Sequence, residues 1–484
     1  MQSLTGRVIR SGLWLAALRA TGRLLGTIRL LVLARVLGPH EFGVVGIATV
    51  VISLFDAFAT KGTQLTLIHR RERARELFDT AWTLGLVRGG AAAGLMVVFA
   101  PAMGRFFDSP EAVAVVRVMA LAPLIRSFTN LAVVEFRQEL TLGPQYVLQT
   151  SGVVADLCVA VPLALWLGNV WALVGGWLAL TTVQVVMSYV LHPYRPKVRW
   201  DRRQAGELFG YSRWIFGSTA IGWFLTDGVH AAVGKLVGTQ ALGLYQMAWR
   251  LASPMLQVSQ VVSRVTVAAY AKLQDSPLRT RRAYLRILAA VALGAVPISV
   301  GIGLYGEELV RVLLGERWRA IVPIVQILAV LGLVRSIGAT GAPLFQAIGQ
   351  PRSETFVAIV ELGVAGVLIG PLTLWMGPVG AAVAATTACV VGAAVALWRV
   401  SRVLELRAVE LLTPLGWPLV ACVPCVALRV WLGGPVTGVV ALAATLLVSG
   451  TLYLSGLLLL DRLKLYALDP VVPSPVREWL PRRL

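Results

Sequence analysis

Apolar runs of about twenty residues recur along the whole chain, and only short polar segments separate them. A helix of about 20 apolar residues spans the hydrocarbon core of a bilayer. The longest polar segment, residues 192–213, is too short to form a soluble domain. The pattern therefore predicts an all-α polytopic membrane protein with about 14 transmembrane helices. The predicted spans are residues 12–34, 42–65, 79–100, 112–134, 145–167, 171–191, 214–236, 245–268, 287–304, 321–345, 355–376, 379–398, 414–432 and 436–459.

Two sequence matches indicate that the chain is duplicated. Residues 37–43 (LGPHEFG) resemble residues 237–243 (VGTQALG), and residues 118–127 (VMALAPLIRS) resemble residues 327–336 (ILAVLGLVRS). Because each copy holds six helices, the two copies are expected to have the same orientation and to form parallel lobes. The predicted organisation is an N-terminal lobe at 1–192, a basic cytoplasmic linker at 193–213, a C-terminal lobe at 214–400, an extra helix pair at 401–460 and a cytoplasmic tail at 461–484.

Composition supports a membrane protein and adds an excess of positive charge. Of the 484 residues, 57% are apolar and 14% are charged, yet 44 Lys and Arg face 24 Asp and Glu, for a net charge of +20. Most of the basic residues in loops fall in alternate loops. By the positive-inside rule, we predict a multi-pass membrane protein with both termini cytoplasmic. The basic loops are explained by topology and anionic lipid, so no nucleic acid is expected as a partner.

Other basic residues fall inside the predicted spans. A charge near the bilayer centre costs at least about 2.5 kcal/mol, so such residues must reach an interface, pair, or face a water-filled cavity. On the eighth predicted helix, polar side chains share one face from end to end, and we expect them to line a wet lumen. The alternative is hydrogen bonding between packed helices. The polar faces consist of Gln246, Arg250, Ser253, Gln257, Gln260 and Arg264 on the eighth helix, Arg19 and Arg23 on the first, Asp56 on the second, and Asp227 and His230 on the seventh.

Several short motifs in order resemble a known family. They are the run from Ala34 to Gly43, the region of Asp227 with residues 238–248, the run from Leu313 to Trp318 followed by Pro323, and residues 347–351 (AIGQP). Over roughly residues 5–400 the chain resembles the oligosaccharide flippases, the Wzx-type polysaccharide exporters of the multidrug/oligosaccharidyl-lipid/polysaccharide (MOP) superfamily.

The resemblance implies a flippase for cell-surface polysaccharides such as lipopolysaccharide, O-antigen or exopolysaccharide. Its cargo would be a polyprenyl (undecaprenyl) pyrophosphate-linked oligosaccharide repeat unit, moved from the cytoplasmic to the periplasmic leaflet of the bacterial inner (plasma) membrane by alternating access. Expected partners are this lipid-linked oligosaccharide and membrane lipids, with a polysaccharide polymerase and glycosyltransferases as further candidates, and the protein is expected to be a monomer. The extra helix pair would hold the prenyl tail, as in related lipid II flippases, or only stabilise the fold.

Arginine forks bind phosphate oxygens bidentately, and neutral amides suit sugar hydroxyls. The candidate substrate-binding residues are therefore Arg19, Arg23, Arg88, Arg126, Arg250, Gln257, Gln260, Arg264 and Arg335. Asp56, Asp227 and His230 are candidates for charge balance or for binding a coupling H⁺ or Na⁺. Cys422 and Cys425 lie in an apolar span and are interpreted as packing residues. No cofactor, metal site or catalytic residue is expected.

Three alternative functions are considered, two of them transporters and one an enzyme. A drug or cation exporter of the same superfamily would need an acidic lumen, and a lipid II flippase would be distinguished by being essential for growth. A membrane-embedded polysaccharide polymerase or ligase would carry a large outer loop with catalytic residues. The longest predicted outer loop, around residues 306–319, is short, so we predict a transporter and not an enzyme.

Overall fold

The computed structural model describes residues 21–22, 24–59, 74–138, 142–253, 270, 276–434 and 436–462. Within these residues every regular element is helical, which confirms the predicted all-α class. The helices are α1 (Pro39–Ala59), α2 (Ala74–Phe106), α3 (Pro110–Met119), α4 (Leu121–Ser127), α5 (Leu142–Leu167), α6 (Trp171–Leu191), α7 (Arg202–Leu236), α8 (Thr239–Ala252), α9 (Pro277–Leu309), α10 (Val322–Gly338), α11 (Gly341–Ala347), α12 (Pro351–Met376), α13 (Pro378–Leu404), α14 (Ala408–Ala421), α15 (Val423–Leu432) and α16 (Val439–Arg462), with short 3₁₀, π or helical turns at Leu131–Val134, Glu135–Gln138, Val310–Leu314 and Glu316–Ile321.

Ten stretches of the described residues are long and apolar enough to cross a membrane. They lie at Pro39–Asp56, Leu77–Phe106, Gly143–Leu167, Trp171–Leu191, Pro277–Leu314, Glu316–Ala347, Arg352–Met376, Pro378–Leu404, Ala408–Leu432 and Val439–Arg462. The first, second and eighth predicted spans fall partly outside the described residues. The protein is thus a multi-pass membrane protein, as the apolar pattern predicts.

The predicted span 112–134 is broken into short pieces. Helix α3 ends at Met119, α4 ends at Ser127, and a 3₁₀ turn follows the buried Asn130. The Asn130 side chain accepts a hydrogen bond from the Ala132 backbone N–H over 3.1 Å. Such local side-chain bonds compete with a continuous helix. The break ends α4 just after Arg126, which lies in its last turn.

The chain divides into two compact units, Met1–Gly243 and Leu244–Leu484. Helices of equal length recur in the two halves. α2 and α9 both have 33 residues, and α5 and α12 both have 26. Equal lengths in the same order are what a duplication of one six-helix ancestor produces.

Within the first unit, two glycines allow α1 and α8 to cross at their first turns. A Cβ atom at Gly43 would lie 1.9 Å from the Thr239 carbonyl oxygen, and a Cβ atom at Gly243 would lie 1.9 Å from the Pro39 carbonyl oxygen. Neither position tolerates a side chain without a shift of backbone. Because the matched sequences 37–43 and 237–243 supply the two sides, the crossing is reciprocal.

In the second unit, the extra helices α14–α16 pack against α9. Near one end Arg281 pairs with Glu410, and near the other Arg429 Nη2 donates to Glu308 Oε1 over 2.6 Å. Between them the Tyr453 hydroxyl donates to the Leu293 carbonyl oxygen over 2.9 Å. The extra helix pair is therefore attached to α9 along its length.

Candidate functional site

A cavity of about 300 Å³ lies within the first unit, between α1, α2, α4, α5 and α6. Its wall brings together three of the residues selected from sequence, two arginines and one aspartate, among apolar and small side chains. The lining residues are Phe55, Asp56, Ala81, Trp82, Gly85, Arg88, Gly89, Ala92, Pro123, Arg126, Ser127, Thr129, Leu131, Val133, Leu148, Gln149 and Gln184. The ionisable side chains in this wall leave one positive charge in excess.

Arg126 and Asp56 form an ion pair in this wall. Arg126 Nη1 donates to Asp56 Oδ2 over 2.6 Å, joining the last turn of α4 to α1. The two side chains keep 38% and 33% of their surface exposed. A solute in the cavity can therefore reach the guanidinium, and the pair is weaker than a fully desolvated one.

Arg88 faces the same cavity from α2. It lies about 16 Å along the helix from Leu77, where the apolar span begins, at about 1.5 Å per residue. A half-buried arginine at that depth needs polar surroundings, because its charge is costly in hydrocarbon. The cavity supplies them.

Gly89 brings α2 close to α4. A Cβ atom at this position would lie 2.4 Å from the Ser127 Cβ and 2.9 Å from the Pro123 carbonyl oxygen. Since Arg88 precedes Gly89 and Arg126 precedes Ser127, this close approach sets the two arginines in one wall. The spacing between Arg88 and Arg126 therefore depends on a glycine, which has no side chain, at position 89.

Two glutamines that the sequence interpretation did not select also line the cavity. Gln149 lies on α5 and Gln184 on α6. Gln184 packs over Gly152, where a Cβ atom would lie 2.6 Å from the Gln184 Cγ. In the sequence, the one sign of such a residue is a single amide inside an apolar span. Amide side chains can both donate and accept hydrogen bonds.

A second cavity, of about 230 Å³, lies within the second unit. Arg335 on α10 donates through Nη2 to Glu361 Oε1 on α12 over 2.5 Å, with side chains 23% and 15% exposed. Glu354 also lines this cavity. The balance of charge is thus negative, opposite to that of the first cavity.

Arg126 and Arg335 occupy corresponding positions in the matched segments 118–127 and 327–336. Each is paired with a carboxylate and each lines a cavity in its own unit. The carboxylates come from different helices, since Asp56 precedes its arginine by two spans and Glu361 follows its own. The two matched segments thus share the arginine, while its carboxylate partner differs.

Three other candidates are described but line neither of these two cavities. Arg250 lies in the last turn of α8. Asp227 and His230 lie one turn apart on α7, with Asp227 Oδ1 at 3.8 Å from His230 Nδ1. On the same helix Trp223 Nε1 donates to Ser53 Oγ over 2.9 Å, which ties α7 to α1. Arg19, Arg23, Gln257, Gln260 and Arg264 lie outside the described residues.

A further arginine within the first unit pairs away from the cavity. Arg29 Nε lies 2.8 Å from Asp156 Oδ2, and both side chains are largely buried. Gly176 makes room for this pair, because a Cβ atom there would lie 2.2 Å from Asp156 Oδ1. Asp156 thus balances the charge of Arg29 within the first unit. The described residues contain no cluster of three His, Cys, Asp or Glu side chains that could hold a metal ion.

Comparison with known proteins yields one family and a shared fold. A family model described as "Polysaccharide biosynthesis protein" matches residues 32–323, more than half of the chain. The lipopolysaccharide biosynthesis protein WzxC of Escherichia coli (strain K12) is 23% identical over 78% of this chain and 78% of its own length. The lipid II flippase MurJ in its inward closed conformation aligns with a TM-score of 0.76 at 13% identity, covering 94% of this chain and 100% of MurJ. An inward-facing multidrug resistance MATE family transporter of the MOP superfamily aligns with a TM-score of 0.62 at 18% identity, covering 80% and 96%.

Proposed function

Since the chain belongs to the polysaccharide biosynthesis protein family, we propose that it is a flippase for a lipid-linked oligosaccharide. Its cargo is an oligosaccharide repeat unit on polyprenyl (undecaprenyl) pyrophosphate. The protein moves this cargo from the cytoplasmic to the periplasmic leaflet of the inner membrane by alternating access, with both termini cytoplasmic. The repeat unit then enters the synthesis of a cell-surface polysaccharide.

The observation that carries the proposal is the cavity of the first unit, with Arg88 and Arg126 in its wall. Guanidinium groups bind phosphate oxygens through charge-assisted, often bidentate hydrogen bonds. A pyrophosphate crossing the bilayer needs such donors, because no water is present there to solvate it. The amides of Gln149 and Gln184 suit the hydroxyls of the first sugar.

Asp56 competes with the cargo for Arg126. Its carboxylate accepts a hydrogen bond from the Arg126 guanidinium. An incoming phosphate takes over the guanidinium, and Asp56 competes for it again when the cargo leaves. Such a competitor keeps the cargo from binding too tightly to be released.

The remaining candidates complete the proposed path for the anion and its coupling. They are Arg19, Arg23, Arg250, Gln257, Gln260, Arg264 and Arg335 for the cargo, and Asp56, Asp227 and His230 for charge balance or a coupling H⁺ or Na⁺. A drug or cation exporter would require an acidic wall in the cavity of the first unit, and that wall carries the opposite charge.

The proposal is tested in cells that lack the chromosomal copy and carry plasmid-borne variants. We expect R88Q and R126Q to lower polysaccharide export about tenfold or more, because each removes a charge-assisted bond to the cargo. The lipid-linked repeat unit should accumulate in the membrane of these cells. R117Q is the matched control, since Arg117 is an exposed arginine on α3 outside the cavity wall. Normal export by R88Q and R126Q at normal protein levels contradicts the proposal.

A further inference from the structure

The segment between α6 and α7, residues 192–201, belongs to no helix or strand and is called the strap. Its two end residues, His192 and Asp201, have extended backbone angles. The sequence predicts a basic linker at 193–213, but its second half is the first turns of α7, which begins where Asp201 caps the helix. The Asp201 carboxylate accepts hydrogen bonds from the backbone N–H groups of Arg203 and Gln204 over 2.8 and 3.2 Å. The strap therefore has ten residues, all outside any helix.

The strap is fixed to the first unit by a chain of hydrogen bonds. The Asp79 carboxylate on α2 accepts from the Tyr194 hydroxyl over 2.6 Å and from the Lys197 backbone N–H over 2.9 Å. The Arg199 backbone N–H donates to Thr83 Oγ1 over 3.0 Å. Burial, together with the Asp79 carboxylate, raises the pKa of the Tyr194 phenol, so this donor keeps its proton at physiological pH. The side of the strap that contacts α2 is thus fixed.

The exposed side chains of the strap and of the first turn of α7 are mostly basic, with apolar side chains between them. Lys197, Arg199, Arg202 and Arg203 are all exposed. Val198 and Trp200, which alternate with them, are 77% and 55% exposed. Two large apolar side chains held in water by a fixed backbone indicate a partner with an apolar part.

The position of the strap identifies that partner. It follows Leu191, where the span of α6 ends, and it lies beside Asp79 and Thr83, in the first two turns of the span that begins at Leu77. The strap is therefore at the level of the lipid headgroups. Tryptophan is enriched at this level, and clusters of Lys and Arg there attract anionic lipids.

We propose that the strap is a docking surface for anionic phospholipids of the leaflet at this face of the membrane. Lys197, Arg199, Arg202 and Arg203 contact the headgroup phosphates, and Val198 and Trp200 enter the region of the first acyl carbons. An acidic protein would match the positive charges of the strap, but it would not explain why two apolar side chains lie exposed at the membrane surface. Because hydrogen bonds hold the strap to α2, the bound lipids stabilise the first unit rather than act as a free tether.

The test measures the thermal stability of the full-length protein in nanodiscs. Nanodiscs of phosphatidylcholine are compared with nanodiscs in which part of it is replaced by phosphatidylglycerol. We expect phosphatidylglycerol to raise the Tm of the unmodified protein, and we expect K197Q/R199Q/R202Q/R203Q to lose at least half of that rise. The matched control is R279Q/R282Q/R286Q/R352Q, which removes the same charge at exposed positions of the second unit and should keep the rise.

Two results would overturn the proposal. The first is an equal loss in the strap variant and the control, which would reflect net charge alone. The second is a strap variant that keeps the lipid response but loses polysaccharide export in cells, which would assign the surface to a protein partner.

Trp200 gives an independent readout. Phosphatidylglycerol brominated near the top of its acyl chains should quench part of the tryptophan fluorescence of the protein, and W200F should reduce the quenched fraction. W318F is the control, because Trp318 is fully buried and its loss should not lower that fraction. An unchanged quenched fraction in W200F contradicts insertion of this side chain.

Discussion

Arg126 on α4 and Asp56 on α1 are joined by a 2.6 Å hydrogen bond in the wall of the first cavity. Seventy positions separate them in sequence, so the pairing depends on how α4 is broken and turned toward α1. Arg335, at the corresponding position of the matched segment 327–336, pairs with Glu361 in a more buried setting. The first pair is therefore the one from which an anionic solute can most easily take the arginine.

Replacing Asp56 by Asn should strengthen anion binding. D56N leaves Arg126 without its carboxylate, so the affinity for an undecaprenyl pyrophosphate-linked cargo should rise while export falls, because release becomes slower. The free energy of unfolding should change by only about 1 kcal/mol, since both side chains are about a third exposed. Equilibrium binding to the purified protein and export in cells measure the two effects. Weaker binding in D56N would show that the carboxylate itself holds the cargo.

The close approach of α2 and α4 can be tested with two neighbouring glycines. G89A places a Cβ atom 2.4 Å from the Ser127 Cβ, whereas G90A meets nothing within 4 Å. We expect G89A to cost about 1–3 kcal/mol and to impair export, as overpacking does. G90A should be neutral or slightly stabilising. Thermal unfolding in detergent and export assays are the measurements, and equal behaviour of the two variants contradicts the packing.

The reciprocal crossing of α1 and α8 predicts a non-additive pair. G43A and G243A each push a Cβ atom against a backbone carbonyl of the opposite helix. Each should destabilise the protein by about 1–3 kcal/mol. Once one substitution has moved the helices apart, the second should cost less, so the double variant falls short of the sum. G222A, at a position with nothing within 4 Å, is the control. Full additivity would mean that the two contacts are independent.

The attachment of the extra helices should depend unequally on its two ion pairs. E308Q removes the negative charge that pairs with Arg429. Because Glu308 is 1% exposed, this loss should lower the free energy of unfolding by about 3 kcal/mol or more. Glu410 and Arg281 are about a third exposed, so solvent screens their attraction and E410Q should lower the Tm less than E308Q does. Thermal unfolding of the two variants decides. A larger loss of stability in E410Q than in E308Q would contradict the order expected from burial.

The fold class and the family follow from the sequence because both depend on local patterns. α6 begins and ends at the predicted residues 171 and 191, since apolar composition is continuous there and turns polar at both ends. The motifs in the region of residues 34–43 and 313–323 lie within the match to the family model, which confirms the resemblance. The length of an apolar run does not reveal a break within it, however. The sequence therefore does not predict that α3 and α4 end within the span 112–134.

The candidate site could be predicted only in part. Depth along a helix selects Arg88 and Arg126 as residues that need polar surroundings. The partner of Arg126 and the contribution of Gln149 and Gln184 depend on contacts between distant helices, which no periodicity in one helix encodes. The lobes predicted at 1–192 and 214–400 stay a prediction.

The central claim is that the cavity of the first unit binds the pyrophosphate of the cargo. The most direct measurement is the affinity of the purified protein for an undecaprenyl pyrophosphate-linked oligosaccharide, compared between the unmodified protein and R88Q/R126Q. We predict that the double variant binds at least about tenfold more weakly, while R117Q binds normally. Unchanged affinity in an R88Q/R126Q protein that unfolds at the normal temperature would contradict the account.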